Sequence, residues 1–519
     1  MLKMLKNLSL IPDKTDIKAL IISFALINFT FLFHSLQFMW GNHDVEFIKT
    51  ELQLTSGLFE GRFTQFIPHR LLVNGQILPL LNNLIGFSFL TLGLWLLAKY
   101  WNLPKSVLNY SIFITFFATL PFTLSWLYFT FITISCLCWV FFAVLGLYLA
   151  ERINKATHPI ILSLASILCF YLPLGGYPPI INTIFVCFAA KITLDYTFEN
   201  KNLKTLFQTY APTLINIIIA TILFKLTLAT INHHNVYNLE TTPLKYLPQK
   251  FVQTIIISGK QFIISLPFME KPYKLTLLAM ILISFLALVI KTPNAIKKLL
   301  TLTFICATIW CAALTTFLVI PHTEYVARID FFGLAFIYVF ALQLLLSYKT
   351  PLLNSIGLLF MLILIPWNII NDIYAQKIWK QGFDAEFQIL ENMYERIESH
   401  PSFNPNKKYK FYVAGDITLR PSYYQKSYEQ DEPFLLSLPY LAMWQAGPLL
   451  EFYAPFSYID HQQYLLPSDI TPEIYNFMMN EAAPWPHKNS LYIDDNTIFV
   501  IYNRYGLEEL KSKLQSIAQ

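Results

Sequence analysis

Long apolar runs are the feature of this sequence that most restricts its fold. A helix needs roughly 20 mostly apolar residues to cross the hydrocarbon layer of a membrane, with its backbone polar groups bonded inside the helix. About eleven runs of this kind follow one another along the chain. They lie near residues 17–38, 77–98, 106–123, 125–149, 158–175, 178–197, 208–230, 274–290, 299–320, 331–347 and 351–371. The pattern predicts a polytopic α-helical membrane protein.

Composition excludes the main alternatives to a membrane protein. Of the 519 residues, 55% are hydrophobic and 13% are charged, whereas soluble globular chains carry about 25% charged residues. The mean hydropathy of +0.48 and the high apolar content exclude an ordinary soluble enzyme and a disordered chain. The formal net charge is only +5 and no basic tract is present, so nucleic acid is not a predicted partner.

Basic residues predict the orientation of the spans, because cytoplasmic loops are enriched in lysine and arginine. If the N-terminus lies inside, every second loop is cytoplasmic, and each of these loops is basic. Their basic residues are Lys3, Lys6, Lys14, Lys18, Lys99, Lys105, Arg152, Lys155, Lys201, Lys204, Lys291, Lys297, Lys298 and Lys349. The short opposite loops at 121–125 and 175–178 contain no lysine or arginine. An odd number of spans then places the chain after about residue 372 outside the cytoplasm.

Three long segments are predicted to lie outside the cytoplasm: residues 39–76, 232–273 and 372–519. The last of them combines helical and strand patterns. Its predicted elements are an amphipathic helix at 383–397, a strand at 409–414, a hairpin at 490–502 and a polar helix at 507–518. We therefore predict a membrane domain, residues 1–371, that includes the external loop 39–76, followed by a small extracytoplasmic α/β domain, residues 372–519.

The predicted cytoplasmic loops lack a nucleotide-binding pattern. None contains G-x-x-x-x-G-K or a G-x-G-x-x-G after a strand. A phosphate cradle needs backbone N–H groups on a glycine-rich turn that leads into a helix. Direct use of ATP or a nucleotide-sugar is therefore disfavoured, and any chemistry is expected on the external face.

The first external loop carries an unusual density of ionisable side chains beside the membrane. Asp44 and Glu46 follow the first span directly, and a carboxylate held close to lipid is expected to have a raised pKa, which suits a general base. Arg62 and Arg70 supply fixed positive charge, and a guanidinium binds phosphate oxygens as a bidentate fork. A base and a phosphate clamp at a membrane surface fit the displacement of a lipid-phosphate leaving group by an alcohol.

The same residues also have simpler interpretations. Polar side chains after a span often anchor the helix at the interface, and Glu60 and Arg62 fit a surface ion pair. His69 fits a hydrogen-bonded loop residue better than a metal ligand. No cofactor is predicted, although Asp44 and Glu46 leave a divalent cation open as a weak alternative.

A second charged cluster lies in the short predicted loop 321–330. It contains Glu324, Arg328 and Asp330, and an arginine in an external loop departs from the usual charge bias. A phosphate partner and a local pair with either carboxylate explain Arg328 about equally well.

The order of these features resembles that of one family, the serotype-converting O-antigen glucosyltransferases, which belong to the GT-C class of membrane glycosyltransferases. The similarity begins with a short basic N-terminus, one span and an external loop with two early carboxylates. It continues at the motifs Phe59-Glu60-Gly61-Arg62, Leu78-Pro79-Leu80-Leu81, Leu172-Pro173-Leu174-Gly175-Gly176-Tyr177-Pro178 and Arg328-Ile329-Asp330.

The resemblance implies a GT-C-like fold and an inverting transfer of glucose or a related hexose from a polyprenyl-phosphate carrier to an extracytoplasmic glycan, such as lipopolysaccharide O-antigen. It implies Asp44 as the base on the acceptor hydroxyl, with Glu46 as the second catalytic candidate, and Arg62 facing the carrier phosphate. The candidate substrate-binding residues are Glu60, Arg62, His69, Arg70, Tyr177, Glu324 and Arg328. The implied location is the bacterial inner membrane, with the site on the periplasmic face and with donor, glycan and membrane lipids as partners.

Two other function classes stay open on the sequence. The number of spans alone supports a polytopic transporter or flippase for a lipid-linked or glycan substrate, but a large external domain argues against it. A non-enzymatic assembly protein is the other alternative, in which the external domain binds partners and Asp44 and Arg62 only anchor the loop.

Overall fold

The structure, a computed structural model, describes residues 9–37, 44, 52–231, 247–264, 269–314, 327–348, 350–415, 459–461 and 469–518. Internal contacts divide the chain into two units. The membrane unit comprises Met1–Phe38 and Glu51–Tyr374, and the second unit comprises Met39–Thr50 and Ala375–Gln519.

The described residues of the membrane unit form mainly helices. They are α1 (Lys14–Thr30), α2 (Leu32–Leu36), α3 (Ile67–Val73), α4 (Pro79–Tyr100), α5 (Val107–Ala118), α6 (Phe122–Leu127), α7 (Thr133–Ala150), α8 (Pro159–Gly176), α9 (Ile180–Thr197), α10 (Leu203–Thr230), α11 (Leu247–Ile264), α12 (Lys271–Lys291), α13 (Ala295–Cys311), α14 (Ala327–Asp330), α15 (Leu334–Ser347) and α16 (Pro351–Glu398). Helix α16 begins in the membrane unit and continues into the second unit.

Seven described helical segments are long and apolar enough to cross a membrane. They are Pro79–Tyr100, Thr130–Ala150, Pro159–Gly176, Ile180–Thr197, Leu203–Thr230, Lys271–Lys291 and Pro351–Gln381. Two further apolar helices, α5 and α15, are shorter. The chain is therefore a polytopic helical membrane protein, whereas the count of eleven spans and their orientation stay predictions.

The loops that contain most of the predicted cytoplasmic lysines meet at one end of the membrane unit, which we call the lysine end. Direct contacts between side chains connect these loops to one another. They join Lys105 to Asp13, Asn102 to Glu199, Lys297 to Asn200, Lys291 to Thr350 and Lys191 to Glu151. Loops that the sequence assigns to one side of the membrane thus lie together.

Four of the described helices that begin at the lysine end have N-cap residues whose side chains bond to the first turn. Asp13 caps α1, Ser106 caps α5, Asn202 caps α10 and Asn294 caps α13, each through its side-chain oxygen. Such a side chain satisfies backbone N–H groups that have no partner inside the first turn of a helix. These caps define where the helices start.

Polar side chains also connect the long helices within the membrane unit. Ser166 Oγ donates to the carbonyl of Gly146 (3.0 Å), joining α8 to α7. Trp101 Nε1 donates to the carbonyl of Cys187 (3.0 Å), and Gln343 Nε2 donates to the carbonyl of Trp101 (3.1 Å). Hydrogen bonds of this kind matter between membrane helices, because the hydrophobic effect contributes little to helix association in lipid.

The predicted boundary between the spans 106–123 and 125–149 is wrong. Helix α5 ends at Ala118, the short helix α6 follows, and α7 begins only at Thr133. The intervening residues are buried, and hydroxyl groups bond to their backbone, as Ser125 Oγ does to the Phe122 carbonyl (2.6 Å). Irregular backbone is tolerated at such a position when it is enclosed in protein. The apolar pattern hides this break because every side chain in it is apolar or carries a hydroxyl.

Two other predicted helix limits differ from the structure. The first span, 17–38, is interrupted at Phe31, where Thr30 Oγ1 donates to the Leu26 carbonyl (2.8 Å). Local hydroxyl bonds of this type compete with the regular helix. The amphipathic helix predicted at 383–397 is not separate, because it forms the last part of the 48-residue helix α16.

The second unit is built on a four-stranded sheet. Its strands are β1 (Tyr409–Ala414), β2 (Ile459–His461), β3 (Leu491–Ile493) and β4 (Thr497–Ile501), in the order β2-β1-β4-β3. Strand β1 is parallel to both of its neighbours, while β3 and β4 pair antiparallel as a hairpin. Strand β1 and the hairpin occupy the residues predicted for them.

Helices cover both faces of this sheet. Residues of α16, such as Met393, pack on one face with Phe411 and Val500. On the other face, α17 (Pro472–Asn480) and α18 (Arg504–Ala518) pack against Tyr412 and Phe499. Side chains alternate between the two faces along each strand, so strands β1 and β4 are buried on both sides.

Candidate active site

The loop before α4 forms a tight turn around Arg62. The Arg62 backbone N–H donates to the Gly57 carbonyl (2.9 Å), and the turn passes through Gly61, whose φ of +71° favours glycine. The Leu52 N–H donates to the Gly75 carbonyl (3.0 Å), which brings the start and the end of the described loop together. The backbone that carries Arg62 is therefore fixed on both sides.

The same loop is bonded to the end of α8. Thr64 donates from its backbone N–H to the Gly175 carbonyl (3.1 Å) and from its hydroxyl to the Leu172 carbonyl (2.6 Å). A Cβ at Gly175 would lie 2.5 Å from the Phe63 ring, so glycine permits this close approach. Two motifs are thus joined, and the bonded residues Thr64 and Leu172 are 108 positions apart in the chain.

The Arg62 side chain is held between a carboxylate and an aromatic ring. Its Nη1 lies 2.7 Å from Glu60 Oε2, and its guanidinium carbon lies 5.2 Å from the centroid of Tyr177. The side chain is 19% exposed, so part of it is accessible to solvent. Three predicted substrate-binding residues meet here, and the surface ion pair of Glu60 with Arg62 is confirmed as well.

Further aromatic rings fix the position of Tyr177. Its ring meets Trp126 edge to face at 5.0 Å between centroids and lies 5.4 Å from Phe332. Trp126 and Phe332 also contact each other at 5.2 Å, and all three rings are buried. Edge-to-face pairs stabilise a defined ring orientation, so the surface beneath Arg62 is rigid.

His69 is enclosed within the membrane unit. It is fully buried, and its Nε2 lies 3.0 Å from the Gln76 carbonyl, to which it donates. Burial lowers the pKa of His69 from 6.5 to about 4, and the hydrogen bond to Gln76 opposes this shift only in part. The contacts of this histidine close the chain reversal after α3.

Acid should destabilise the protein through His69. Below its ordinary pKa of 6.5 the unfolded chain binds a proton that the folded chain binds only near pH 4, so stability rises with pH across this window. At pH 5 the loss should be on the order of 2 kcal/mol. We expect the thermal midpoint of the wild type to fall more between pH 7 and pH 5 than that of His69→Gln. Equal pH dependence of the two midpoints would exclude this role.

Two asparagines at the start of α4 form a buried polar network. Asn83 Nδ2 donates to His34 Nδ1 (2.9 Å) and to Ser35 Oγ (2.8 Å) on α2. Asn82 Nδ2 donates to the Thr130 carbonyl (3.4 Å). Polar side chains are costly within a membrane protein unless they bond to one another, so these bonds fix α2 and the turn before α7 against α4.

Asp44, the predicted base, lies in the second unit and is only 1% exposed. Arg62 lies in the membrane unit. Arg70 donates from Nη1 to the Asn74 carbonyl at the end of α3 (2.9 Å). Residues Glu46 and Glu324 and the side chain of Arg328 lie outside the described part of the chain, although the Arg328 backbone belongs to α14.

The part of the chain that the structure describes contains no cluster of side chains suited to bind a metal ion. No group of three or more histidine, cysteine, aspartate or glutamate side chains is arranged there to hold an ion. The alternative of a cation on Asp44 and Glu46 involves a residue outside the described ranges and stays a prediction.

The sequence analysis did not include three buried residues, Trp126, Phe332 and Asp330, among the candidate site residues. Trp126 and Phe332 support Tyr177, and neither stands out among so many apolar positions. Asp330, at the end of α14, is a fully buried carboxylate. Its place in the motif Arg328-Ile329-Asp330 and the cost of burying a charge beside a span are the signals that could have identified it.

Comparison with known proteins assigns the chain to a family. A family model described as Glucosyl transferase GtrII matches residues 42–365, which is more than half of the chain. The match includes all nine predicted site residues, from Asp44 to Arg328. No curated protein and no solved structure matches the chain. The chain therefore belongs to the GtrII family of glucosyltransferases, the serotype-converting O-antigen enzymes that its motifs resemble.

Proposed function

We propose that the protein transfers glucose from a polyprenyl-phosphate carrier to an O-antigen glycan on the periplasmic side of the bacterial inner membrane. Membership of a glucosyltransferase family supports the transferred sugar and the glycan acceptor. The absence of a nucleotide-binding pattern from the predicted cytoplasmic loops favours a lipid-linked donor, because the membrane itself then delivers the sugar. The lipid-linked donor and the periplasmic reaction face are proposed in addition to the family's glucosyltransferase activity.

The main support for the proposal is that contacts with Glu60 and Tyr177 fix the position of the Arg62 guanidinium. A lipid-phosphate donor releases a phosphate whose charge grows as the bond to the sugar breaks, and a fixed guanidinium stabilises that charge without reorganising. Glu60 and the Tyr177 ring hold Arg62 in place while leaving part of it exposed. In this proposal the donor phosphate binds the exposed part of Arg62.

Asp44 is the proposed base. The acceptor hydroxyl oxygen attacks the anomeric carbon, and the bond from that carbon to the phosphate oxygen breaks, with its electron pair leaving on the carrier phosphate. The proton of the hydroxyl passes to the Asp44 carboxylate, and the configuration at the anomeric carbon inverts. Asp44 lies within the residues that the family model matches, and its near-complete burial keeps water away from the carboxylate.

The proposed face follows from the two ends of helix α7. The helix has 18 residues, which corresponds to a length of about 27 Å. Arg152 follows its last turn at the lysine end, whereas the turn before its first residue lies beside Trp126 and thus near Arg62. If the lysine end is cytoplasmic, as the positive-inside tendency predicts, Arg62 faces the periplasm.

Replacing Arg62 tests the proposal directly. We expect Arg62→Gln to raise the KM for a synthetic polyprenyl-phosphate glucose about 10- to 100-fold, because a charge-assisted bond to phosphate is lost. The measurement is glucose transfer by the purified enzyme in membranes or detergent, with mass spectrometry of the glycan product.

Arg152→Gln is the matched control for this experiment. Arg152 also pairs with a neighbouring glutamate, Glu151 (3.3 Å), and also lies over an aromatic ring, Tyr148 (3.4 Å), but at the opposite end of α7. It should leave the donor KM unchanged. An equal effect of the two substitutions, or none from Arg62→Gln, contradicts the phosphate assignment, and unchanged glycans in cells that lack the protein contradict the transfer itself.

A further inference from the structure

A cavity of about 610 Å³ opens among the helix ends at the lysine end of the membrane unit. Its wall combines the ends of α4, α9, α12 and α15 with the start of α16. The site proposed for glucose transfer lies at the other end of α7, so that reaction gives this cavity no role. Its walls differ in charge from one side to the other.

One wall of the cavity is built to receive an anion. Lys291, the last residue of α12, donates to the Thr350 hydroxyl and lies 4.5 Å from the ring centroid of Tyr348. These partners are neutral, so the lysine charge is not compensated by them. Tyr348 is only 8% exposed, and in the described part of the chain its hydroxyl has no hydrogen-bond partner. Thr350 directly precedes α16, whose first turn carries the positive end of the helix dipole.

The wall formed by the end of α9 is acidic. Asp195 already has three partners, since Lys191, Lys201 and Tyr210 all bond to it. Glu199 bonds to Lys201 (2.6 Å) and to Asn102 (2.8 Å), yet its side chain is 40% exposed. A carboxylate accepts about four hydrogen bonds, so Glu199 has capacity for an ammonium group.

Apolar groups line the remainder of the cavity. Leu194 and Leu288 come from two of the long helices, and the ring of Trp101 lies at the end of α4. A tryptophan and a lysine at the end of a span are typical of the depth at which lipid headgroups lie. The cavity therefore offers hydrocarbon, cationic and acidic contacts at a membrane interface.

We propose that this cavity binds a membrane phospholipid with a phosphoethanolamine headgroup. Lys291, Thr350 and the Tyr348 hydroxyl bind the phosphate, Glu199 accepts from the ammonium, and the apolar wall contacts the first part of the acyl chains. A headgroup with a phosphate and a primary ammonium two carbons apart matches a wall that carries both charges. A choline headgroup has no N–H to donate to Glu199, and a glycerol headgroup has no positive charge.

Native mass spectrometry of the full-length protein tests this site. The protein is stripped of lipid in detergent and then titrated with phosphatidylethanolamine, phosphatidylcholine or phosphatidylglycerol. We expect one phosphatidylethanolamine to be retained, with an affinity about tenfold above that of the other two lipids. Inorganic phosphate and soluble phosphoethanolamine are added as competitors, because either would supply the same phosphate contact without a lipid.

Variants identify the contacts. Lys291→Gln should lower retention about tenfold or more, whereas Lys297→Gln, a lysine of the same end that contacts Asn200 (3.5 Å) and does not line the cavity, should not. Glu199→Gln should remove the preference over phosphatidylcholine. Thermal unfolding checks that each variant is folded, and Tyr348→Phe, which deletes one hydroxyl and keeps the ring, replaces Lys291→Gln if that variant unfolds.

The proposal is overturned by any of three results. These are equal retention in wild type, Lys291→Gln and Tyr348→Phe; no preference among the three lipids; and displacement of the lipid by millimolar inorganic phosphate. Glucose transfer by the same samples is measured alongside, and because this site does not depend on that reaction, loss of one need not accompany loss of the other.

Discussion

Asp44→Asn should fold and bind the donor but transfer glucose about 10²- to 10⁴-fold more slowly than the wild type. Asparagine has the shape of aspartate but cannot accept the proton of the acceptor hydroxyl. Asp44 is almost completely buried, so water does not readily substitute for the lost base. The rate to measure is kcat for transfer from a polyprenyl-phosphate glucose at saturating donor.

The matched control is Asp495→Asn in the same unit. Asp495 lies in the hairpin between β3 and β4, pairs with Lys407 (2.7 Å) and is exposed, so its replacement should leave kcat unchanged. Asp44→Glu should retain part of the activity, because a carboxylate remains. Full activity of Asp44→Asn with unchanged thermal stability would remove Asp44 from the mechanism.

Asp44 and Arg62 should therefore be distinguishable by their kinetics. Loss of the base removes an interaction made only in the transition state, so kcat and kcat/KM fall together. Loss of a phosphate contact that is already present in the bound donor raises KM and changes kcat less. A variant of Arg62 that lowers only kcat would mean that this guanidinium acts on the leaving group alone.

The sequence was sufficient to predict the class of fold, because a membrane restricts which residues can lie in a helix that crosses it. Backbone polar groups within the hydrocarbon must bond to one another, which favours a helix, and the side chains of that helix must be apolar. A span is therefore visible in the sequence as a long apolar run. The hairpin β3–β4 was predictable for a similar reason, since two short runs of β-branched and aromatic residues flank Asp494-Asp495-Asn496.

The break between α5 and α7 was not predictable from the same signals. Residues from Pro121 to Ile132 are as apolar as a span, but they form short helices that are enclosed by protein rather than by lipid. Apolar composition does not distinguish these two surroundings. Trp126 belongs to this segment, so its contact with Tyr177 follows from the packing of the helices and could not be predicted from the sequence.

The candidate site shows the same division. Glu60 and Arg62 were identified because charges beside a membrane are costly and need a reason, and Tyr177 because of the motif that contains it. What the sequence did not contain is the contact between them, which depends on the approach of Thr64 to Gly175 across the membrane unit. Charge can be identified from sequence alone, whereas the neighbour that orients it requires the fold.

Asp195→Leu should lower the free energy of unfolding by about 3–5 kcal/mol. Asp195 and Lys191 are each 1% exposed and lie 3.0 Å apart on α9, four residues from each other in the sequence. After the substitution, Glu151 (3.2 Å) is the one carboxylate that still bonds to the buried Lys191 among the described residues. The substitution also removes the carboxylate that accepts the hydrogen bond of the Tyr210 hydroxyl. Breaking one side of a buried pair costs more than the pair contributes, because the remaining charge of Lys191 has lost one of its two carboxylate partners in a poorly hydrated place. Unfolding in detergent, followed by heat or denaturant, measures the loss.

Two further variants test whether the loss of stability in Asp195→Leu arises from the charge of Lys191. In Lys191→Leu/Asp195→Leu neither partner of the pair remains, and Glu151 keeps its contact with Arg152 (3.3 Å), so the double variant should be more stable than Asp195→Leu. Glu199→Gln, which alters an exposed carboxylate of the same end, should cost less than about 1 kcal/mol. If Asp195→Leu is no less stable than Glu199→Gln, or the double variant is the least stable of the three, the buried cluster does not hold α9 as its geometry indicates.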